Sequence, residues 1–165
     1  MDDILKLIDD FSKTSLMNRA AHYRAANLNR TRHYWLGIPS IVIGTAVGTS
    51  IFASLNSNPS DAAKIFVGLI SFLSAAMASL QTFFKFAENG EKHRLAGASY
   101  GNIRRKLDIM KVEYSSQEHP SREEALKELK EIGDVLGDLA KESPDIPDVA
   151  YKQAVKIENE RAAKK

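Results

Sequence analysis

The chain has 165 residues, a length typical of one domain, and its 23 Lys and Arg against 21 Asp and Glu give a formal net charge of +2. A balance this close to neutral gives no indication of a nucleic-acid partner. The absence of cysteine excludes disulfides, thiol catalysis and thiolate metal ligands. The charges are unevenly distributed, because residues 33–60 and 65–84 contain no Asp, Glu, Lys or Arg.

The N-terminal part of the chain, residues 1–33, is predicted to form a helix that continues into the first uncharged segment. Ile4, Ile8 and Phe11 give this helix an apolar edge, and acidic residues at its start suit the positive end of the helix dipole. The chain therefore begins with a charged helix, which is not the pattern of a signal peptide.

Two segments, 35–55 and 65–84, have the length and the apolar composition of membrane-spanning helices. They contain 21 and 20 residues, and about 20 apolar residues cross a hydrocarbon core of about 30 Å. The alternative is a buried helical hairpin in a soluble all-α protein. Two uncharged segments of full spanning length favour the membrane.

The link between the two segments, residues 56–61, is too short for anything but an antiparallel hairpin, so both termini are expected on one side of the membrane. Ser60 is predicted to cap the second helix. The side of the membrane that carries more Lys and Arg near the spans is expected to be the cytoplasmic side. Lys64 is the cation nearest to the link, whereas six cations flank the hairpin on the side of the termini: Arg24, Arg30, Arg32, Lys85, Lys92 and Arg94. Both termini are therefore expected in the cytoplasm.

The second segment has two unlike faces. Large side chains share one face, and Gly68, Ser71, Ala75, Ala78, Ser79 and Thr82 share the opposite face. Large side chains suit lipid, and small or hydroxylated ones suit close helix contact or a water path. The predicted pore-lining or helix-packing residues, with the choice between these two roles left open, are Gly44, Thr45, Gly48, Thr49, Phe52, Gly68, Ser71, Ala75, Ser79 and Thr82; Phe52 or Val47 would suit a hydrophobic constriction.

Residues 86–165 are predicted to form the cytoplasmic helical region. One apolar seam follows Tyr100, Ile103, Leu107, Met110 and Tyr114, and a break is expected at His119-Pro120. A capping box of Ser121 and Glu124 then starts a helix whose seam is Leu126, Leu129, Ile132, Leu136 and Leu139. Residues 143–147 form a turn before the last helix. The seams are expected to be buried within this region or between subunits.

No catalytic, cofactor or metal site is predicted, and the chain is not expected to be an enzyme. His22 and His93 lie in charged helical stretches, where a surface or intersubunit hydrogen bond is favoured over a ligand role. The glycines of residues 97–101 lie in a predicted helix, so this stretch is not a phosphate loop. For the basic run 104–106, a solvated helix face is favoured over a phosphate site.

Several unlike motifs, in order and with their spacing, resemble the SLATT family of bacterial two-transmembrane effector domains over about residues 19–156. The segments that carry the resemblance are HYRAA at 22–26, HYWLGIP at 33–39, VGTSIFASL at 47–55, LQTFFKF at 80–86, EKHR at 91–94, YGNIRR at 100–105 and AKESPDIP at 140–147. They include a cytoplasmic motif of His22, Arg24, His93, Tyr100, Arg104 and Arg105.

The resemblance implies a single SLATT-like domain over residues 1–165, with an all-α fold, in the bacterial inner membrane. It implies a pore- or channel-forming effector of anti-phage defence that contacts the lipid bilayer and other copies of itself. The chain leaves no length for a fused sensor, so the trigger is expected to be a partner sensor protein or a nucleotide second messenger. The alternative function is a non-conducting membrane anchor for a helical interaction module, for which the small face of the second segment would be unnecessary.

Overall fold

The computed structural model describes residues 2–54, 59–115 and 121–163, and this part of the chain is helical with no strand. The all-α prediction is therefore confirmed. The five helices are α1 (Asp2–Ser54), α2 (Asp61–Phe84), α3 (Phe86–Tyr114), α4 (Arg122–Glu142) and α5 (Asp148–Ala162). The expected break at His119-Pro120, the last residue of the first predicted span, Leu55, and residues 56–58 of the predicted link lie outside the described residues.

Helix α1 has 53 residues and runs without interruption from the charged N-terminal stretch through the first apolar segment. This confirms the expected continuation of the N-terminal helix. At about 1.5 Å per residue its length is about 80 Å. Pro39 lies inside this helix. Proline lacks an N–H, so the Trp35 carbonyl has no partner at its usual position.

Local signals set the ends of α2. Ser60 caps its start by accepting a hydrogen bond from the Ala63 N–H at 3.4 Å, and Lys64 pairs with Asp61 at 3.0 Å. The helix ends before Lys85, which has φ of 46° and lies in the left-handed region. That conformation is uncommon for a residue with a side chain, and it interrupts the helical hydrogen bonds between α2 and α3.

The chain forms two compact units. The first, here called the helical body, consists of Met1–Leu28 and Asn89–Lys165; the second, here called the membrane hairpin, is Asn29–Glu88. The hydrophobic core of the helical body joins the start of α1 to α3 and α4, and its buried members are Ile4, Ile8, Ile103, Leu107, Met110, Tyr114, Ala125, Leu129 and Ile132. The α3 seam was expected to be buried either within the helical region or between subunits, and the structure buries it within one chain.

The seam of α4 differs from the prediction at its first position. Leu126 is 42% exposed, and Ala125 is buried in its place. Ala125, Leu129 and Ile132 follow a 4-3 spacing that keeps them on one face of a helix, whereas Leu126 is turned about 100° from Ala125. The predicted capping box is confirmed, because the Ser121 N–H donates to Glu124 Oε2 at 2.9 Å and the Glu124 N–H donates to Ser121 Oγ at 3.3 Å.

Two glycines of α3 allow this helix to approach α1 closely. A Cβ atom at Gly97 would lie 3.4 Å from the Arg19 carbonyl oxygen and from the ring of Tyr23. At Gly101 it would lie 3.3 Å from Cδ of Arg19. Both glycines lie inside α3, as predicted.

Candidate functional site

The membrane hairpin exposes nearly all of its apolar surface. The apolar windows of its two helices are only 11% and 6% buried within the chain, and Trp35, Phe52, Phe72 and Phe83 are each more than 70% exposed. A soluble protein would bury such side chains, because each large apolar group left in water forgoes roughly 1.5–3 kcal/mol. The alternative of a buried hairpin in a soluble protein is therefore not supported, and both helices are long and apolar enough to cross a bilayer.

A reciprocal pair of serine hydrogen bonds joins α1 to α2 inside the hairpin. The Ser40 hydroxyl donates to the Ser74 carbonyl oxygen at 3.0 Å, and the Ser74 hydroxyl donates to the Ser40 carbonyl oxygen at 2.9 Å. Both serines are buried. Each hydroxyl thereby reaches the backbone of the other helix, which fixes the register of the two spans.

Glycines on α1 make room for this contact. A Cβ atom at Gly44 would lie 3.3 Å from Ser74 Oγ. At Gly37 a Cβ atom would lie 2.8 Å from Nε2 of Gln81, which crosses over this glycine. The same Nε2 atom lies 2.6 Å from Nδ1 of His33 and 3.3 Å from the His33 carbonyl oxygen. The amide of Gln81 therefore ties α2 to α1 near the ends of the spans that are farther from the link.

Towards the link the contact between the spans loosens. A Cβ atom added at Gly48 would meet no atom within 4 Å, although Gly48 lies on the same stripe as Gly44. Val47 and Ser50 border a crevice of about 290 Å³ between the two helices, and a neighbouring crevice of about 370 Å³ reaches Lys64. A Cβ atom on this stripe of α1 would therefore meet a side chain of α2 at Gly37 and at Gly44 but not at Gly48.

The small face of α2 is not the face that packs on α1. The packing face of α2 includes Val67, Ile70, Ser74 and Gln81, which are buried or half-buried. It lies between the large face and the small face around the helix axis. Of the predicted residues on the small face, Ser71 is half-buried, and the exposed ones are Gly68, Ala75, Ala78, Ser79 and Thr82. Phe52, Thr45 and Thr49 on α1 are exposed as well.

The hydroxyl groups among the predicted pore residues are bonded within their own helices. Each donates to a carbonyl four residues earlier, at 2.7 to 3.1 Å: Thr45 to Ile41, Thr49 to Thr45, Ser71 to Val67, Ser79 to Ala75 and Thr82 to Ala78. Such a bond satisfies the hydroxyl donor without water or a partner chain. The polarity of these side chains therefore does not indicate whether they face water, lipid or another helix. Their small size is the property that distinguishes this surface.

In the helical body, two predicted residues form a buried histidine pair. His22 on α1 and His93 on α3 are 2% and 3% exposed, and their Nδ1 atoms are 3.0 Å apart, so one ring donates and the other accepts. The ring of Tyr100 stacks on His22 with centroids 5.5 Å apart. The interpretation of these histidines as surface or intersubunit groups is wrong, because the bond is buried within one chain.

The position of His93 follows from an extended seam on α3. Gly90, His93, Gly97 and Tyr100 are all buried and follow 3-4-3 spacing, which continues the apolar seam towards the start of the helix. The signal that sequence reasoning missed is this continuation through two glycines and a histidine. Among the residues that the structure describes, no third His, Cys, Asp or Glu joins the pair into a cluster.

Burial shifts the titration of the pair. Burial, and to a smaller extent the neighbouring His93, lower the pKa of His22 from 6.5 to about 4. Burial also lowers the pKa of His93 and raises the pKa of Tyr100. Both imidazoles are therefore neutral at pH 7, when one Nδ1 can donate to the other; if both were protonated, both would be donors and would repel each other.

The three arginines of the predicted cytoplasmic motif do not act as one group. Arg24 and Arg104 border the same cleft of the helical body. Arg105 is exposed on another side of α3, where it donates to the side-chain oxygen of Asn102. The structure thus brings His22, His93 and Tyr100 together, places Arg24 and Arg104 at one cleft, and separates Arg105 from both.

The family model of the SMODS and SLOG-associating 2TM effector domain, family 4, matches residues 5–162. The match covers nearly the whole chain, so the chain belongs to this SLATT family of effector domains with two transmembrane helices. No curated protein and no solved structure matches the chain significantly. The resemblance found in the sequence motifs is confirmed, and it extends beyond residues 19–156 at both ends.

Replacing Ser74 by alanine should loosen the hairpin, because it removes the hydroxyl that donates to the Ser40 carbonyl. We expect the reconstituted protein to lose about 1 kcal/mol of resistance to unfolding by SDS in mixed micelles. Ser79→Ala is the matched control, since that hydroxyl is exposed and bonds within its own helix, and it should change stability little. Equal losses for the two variants would contradict the interhelical role of Ser74.

The histidine pair predicts a fall in stability at acidic pH. The pKa of His22 is lower in the fold than in the unfolded chain, so between pH 6.5 and about 4 the unfolded chain binds more protons and the free energy of unfolding decreases as the pH falls. We expect a loss of at least roughly 1 kcal/mol across this window, measured by thermal unfolding in detergent. His22→Asn should make the free energy of unfolding less dependent on pH. The carboxylates that titrate in the same range are present in both proteins, so they do not account for the difference between them. The same slope for both would contradict this account.

Proposed function

We propose that this SLATT-family chain is a membrane effector that forms a homo-oligomeric pore, opened by a signal received at its helical body. The observation that carries the proposal is the exposed small face of α2. After α1 and α2 have packed through Ser40 and Ser74, this face remains exposed among the described residues except at the half-buried Ser71. A pure anchor needs only apolar surface there, and large side chains would serve as well.

Two spans cannot enclose a water path, so conduction requires several copies. Small residues allow helices of neighbouring copies to approach closely, and they also leave space for a narrow path along an axis surrounded by copies of α2. Phe52 and Val47 on α1 are the candidates for a hydrophobic constriction that closes the path by excluding water.

We further propose that the protein lies in the bacterial inner membrane with both termini in the cytoplasm. The cations that flank the hairpin outnumber those of the link, and Lys64 at the link is paired with Asp61. This orientation places the helical body in the cytoplasm, where a sensor protein or a nucleotide second messenger of a conflict system such as anti-phage defence would act on it.

A non-conducting anchor remains the second candidate, and one observation favours it. The hydroxyls of the small face are bonded to their own helix, so lipid can cover this face without leaving donors unsatisfied. The two functions therefore differ in one expectation: enlarging these side chains should impair a pore, whereas it should leave an anchor unaffected.

Conductance of the reconstituted protein in a planar bilayer tests the pore. Ala75→Leu enlarges a side chain on the small face, so it should either block the path or separate the helices and lower the conductance about tenfold or more. Leu73→Met is the matched control on the lipid-facing side of α2 and should leave conductance unchanged. Activation is supplied by coexpressed sensor protein or by added nucleotide.

Equal conductance for the two variants would contradict the assignment of the small face to the path. An absence of current with every activator, from protein that has inserted into the bilayer, would favour the anchor.

A further inference from the structure

The cleft that Arg24 and Arg104 border is basic. It has a volume of about 310 Å³ and is bordered by α1, α3 and α5. Its lining includes four arginines, which come from all three helices: Arg19, Arg24, Arg104 and Arg161. Glu158 is the acidic residue in that lining. Guanidinium groups that are far apart in the sequence therefore converge on one concave surface.

The protein neutralises this charge only in part. Arg161 is paired with Glu158 at 2.7 Å, and Arg104 has Asp108 at 3.7 Å, beyond hydrogen-bond distance. That distance is measured from Nε of Arg104, and this same atom is buried and has no hydrogen-bond partner among the described residues. A buried charged donor without an acceptor is costly, so this atom marks a position where an acceptor would be stabilising.

The other two arginines have no carboxylate partner in the part of the chain that the structure describes. Arg19 lies over the ring of Tyr23, with its guanidinium carbon 5.8 Å from the ring centroid, and its aliphatic part packs on Gly101. Arg24 is exposed and makes no ion pair with any residue that the structure describes. Both side chains border the cleft, and neither guanidinium is paired with a carboxylate among the described residues.

We propose that this cleft binds an anion that carries phosphate groups. Planar guanidinium forks match the oxygens of phosphate in pairs, and arginines from three helices suit a ligand with more than one negative charge. A polyphosphate of a soluble nucleotide and the headgroup of an anionic phospholipid share this chemistry. A bound anion would join α5 to α1 and α3, and so would give the helical body a state that depends on the ligand.

The site is not the basic run that stands out in the sequence. In residues 104–106 only Arg104 borders the cleft, while Lys106 borders a groove between α3 and α4 and Arg105 is bonded to Asn102. Arg105, which lies on α3 beside Arg104 but outside the cleft lining, thus offers a control with the same charge.

Calorimetric titration with inorganic pyrophosphate tests the soluble source. The full chain is held in nanodiscs of phosphatidylcholine, which has no net charge, at low ionic strength. We expect saturable binding that Arg24→Gln weakens about tenfold or more and Arg105→Gln leaves unchanged. Arg24→Lys keeps the charge but loses the planar fork and should fall between the two. Matching thermal unfolding curves show that the variants are folded.

Native mass spectrometry tests the lipid source. The protein is extracted from membranes that contain phosphatidylglycerol, and the lipids retained by each chain are counted. Loss of retained phosphatidylglycerol in Arg24→Gln but not in Arg105→Gln assigns the cleft to a headgroup, and pyrophosphate binding assigns it to a soluble ligand.

The proposal is overturned if neither arm shows a loss that depends on Arg24 and is independent of Arg105. It is also overturned if Arg24→Gln changes the mass of the assembly while both anions bind as before, because the cleft would then face a neighbouring subunit. Both arms measure binding without current, so their outcome is separate from that of the proposed pore.

Discussion

The two hydrogen bonds between Ser40 and Ser74 fix the part of the molecule on which the proposed function depends. In a bilayer, apolar burial does not hold two helices together, because lipid tails are as apolar as the side chains. Register must come from packing and from polar groups that reach across. Each serine here donates to the backbone of the opposite helix, at 3.0 and 2.9 Å, and the glycines at 37 and 44 let the backbones come close enough for these bonds to form.

This register decides which surfaces are left for other molecules. With Ser74 turned towards α1, the large face and the small face of α2 lie on either side of the contact and both remain exposed. The large side chains suit lipid. The small ones, such as Ala75 and Ser79, leave a shallow surface that a neighbouring copy or a narrow water path would fill. A different rotation of α2 would have hidden this face against α1 and removed the reason to expect an assembly.

The features that the sequence predicted well are those set by local chemistry. The two apolar segments, the Ser60 cap and the capping box at Ser121 each depend on residues within a few positions of one another. The partners of His22 and Ser40 lie 71 and 34 positions away, and no local pattern specifies such pairs.

The family could be recognised because its motifs keep their order, but the convergence of arginines from three helices became visible only in the fold. Leu126 was wrongly predicted to lie in the α4 seam. Adjacent residues of a helix differ by about 100° around its axis, so with Ala125 in the seam Leu126 lies outside it.

In the proposed pore, the small faces of α2 from several copies surround one axis. Because the sequence contains no cysteine, a single introduced cysteine reports its own position. Ala75→Cys in native membranes should form disulfide-linked dimers on mild oxidation, since like positions around an axis lie close together, whereas Leu73→Cys on the lipid-facing side should remain monomeric. Dimers from Leu73→Cys and none from Ala75→Cys would contradict this arrangement and, with it, the assignment of the small face to the pore.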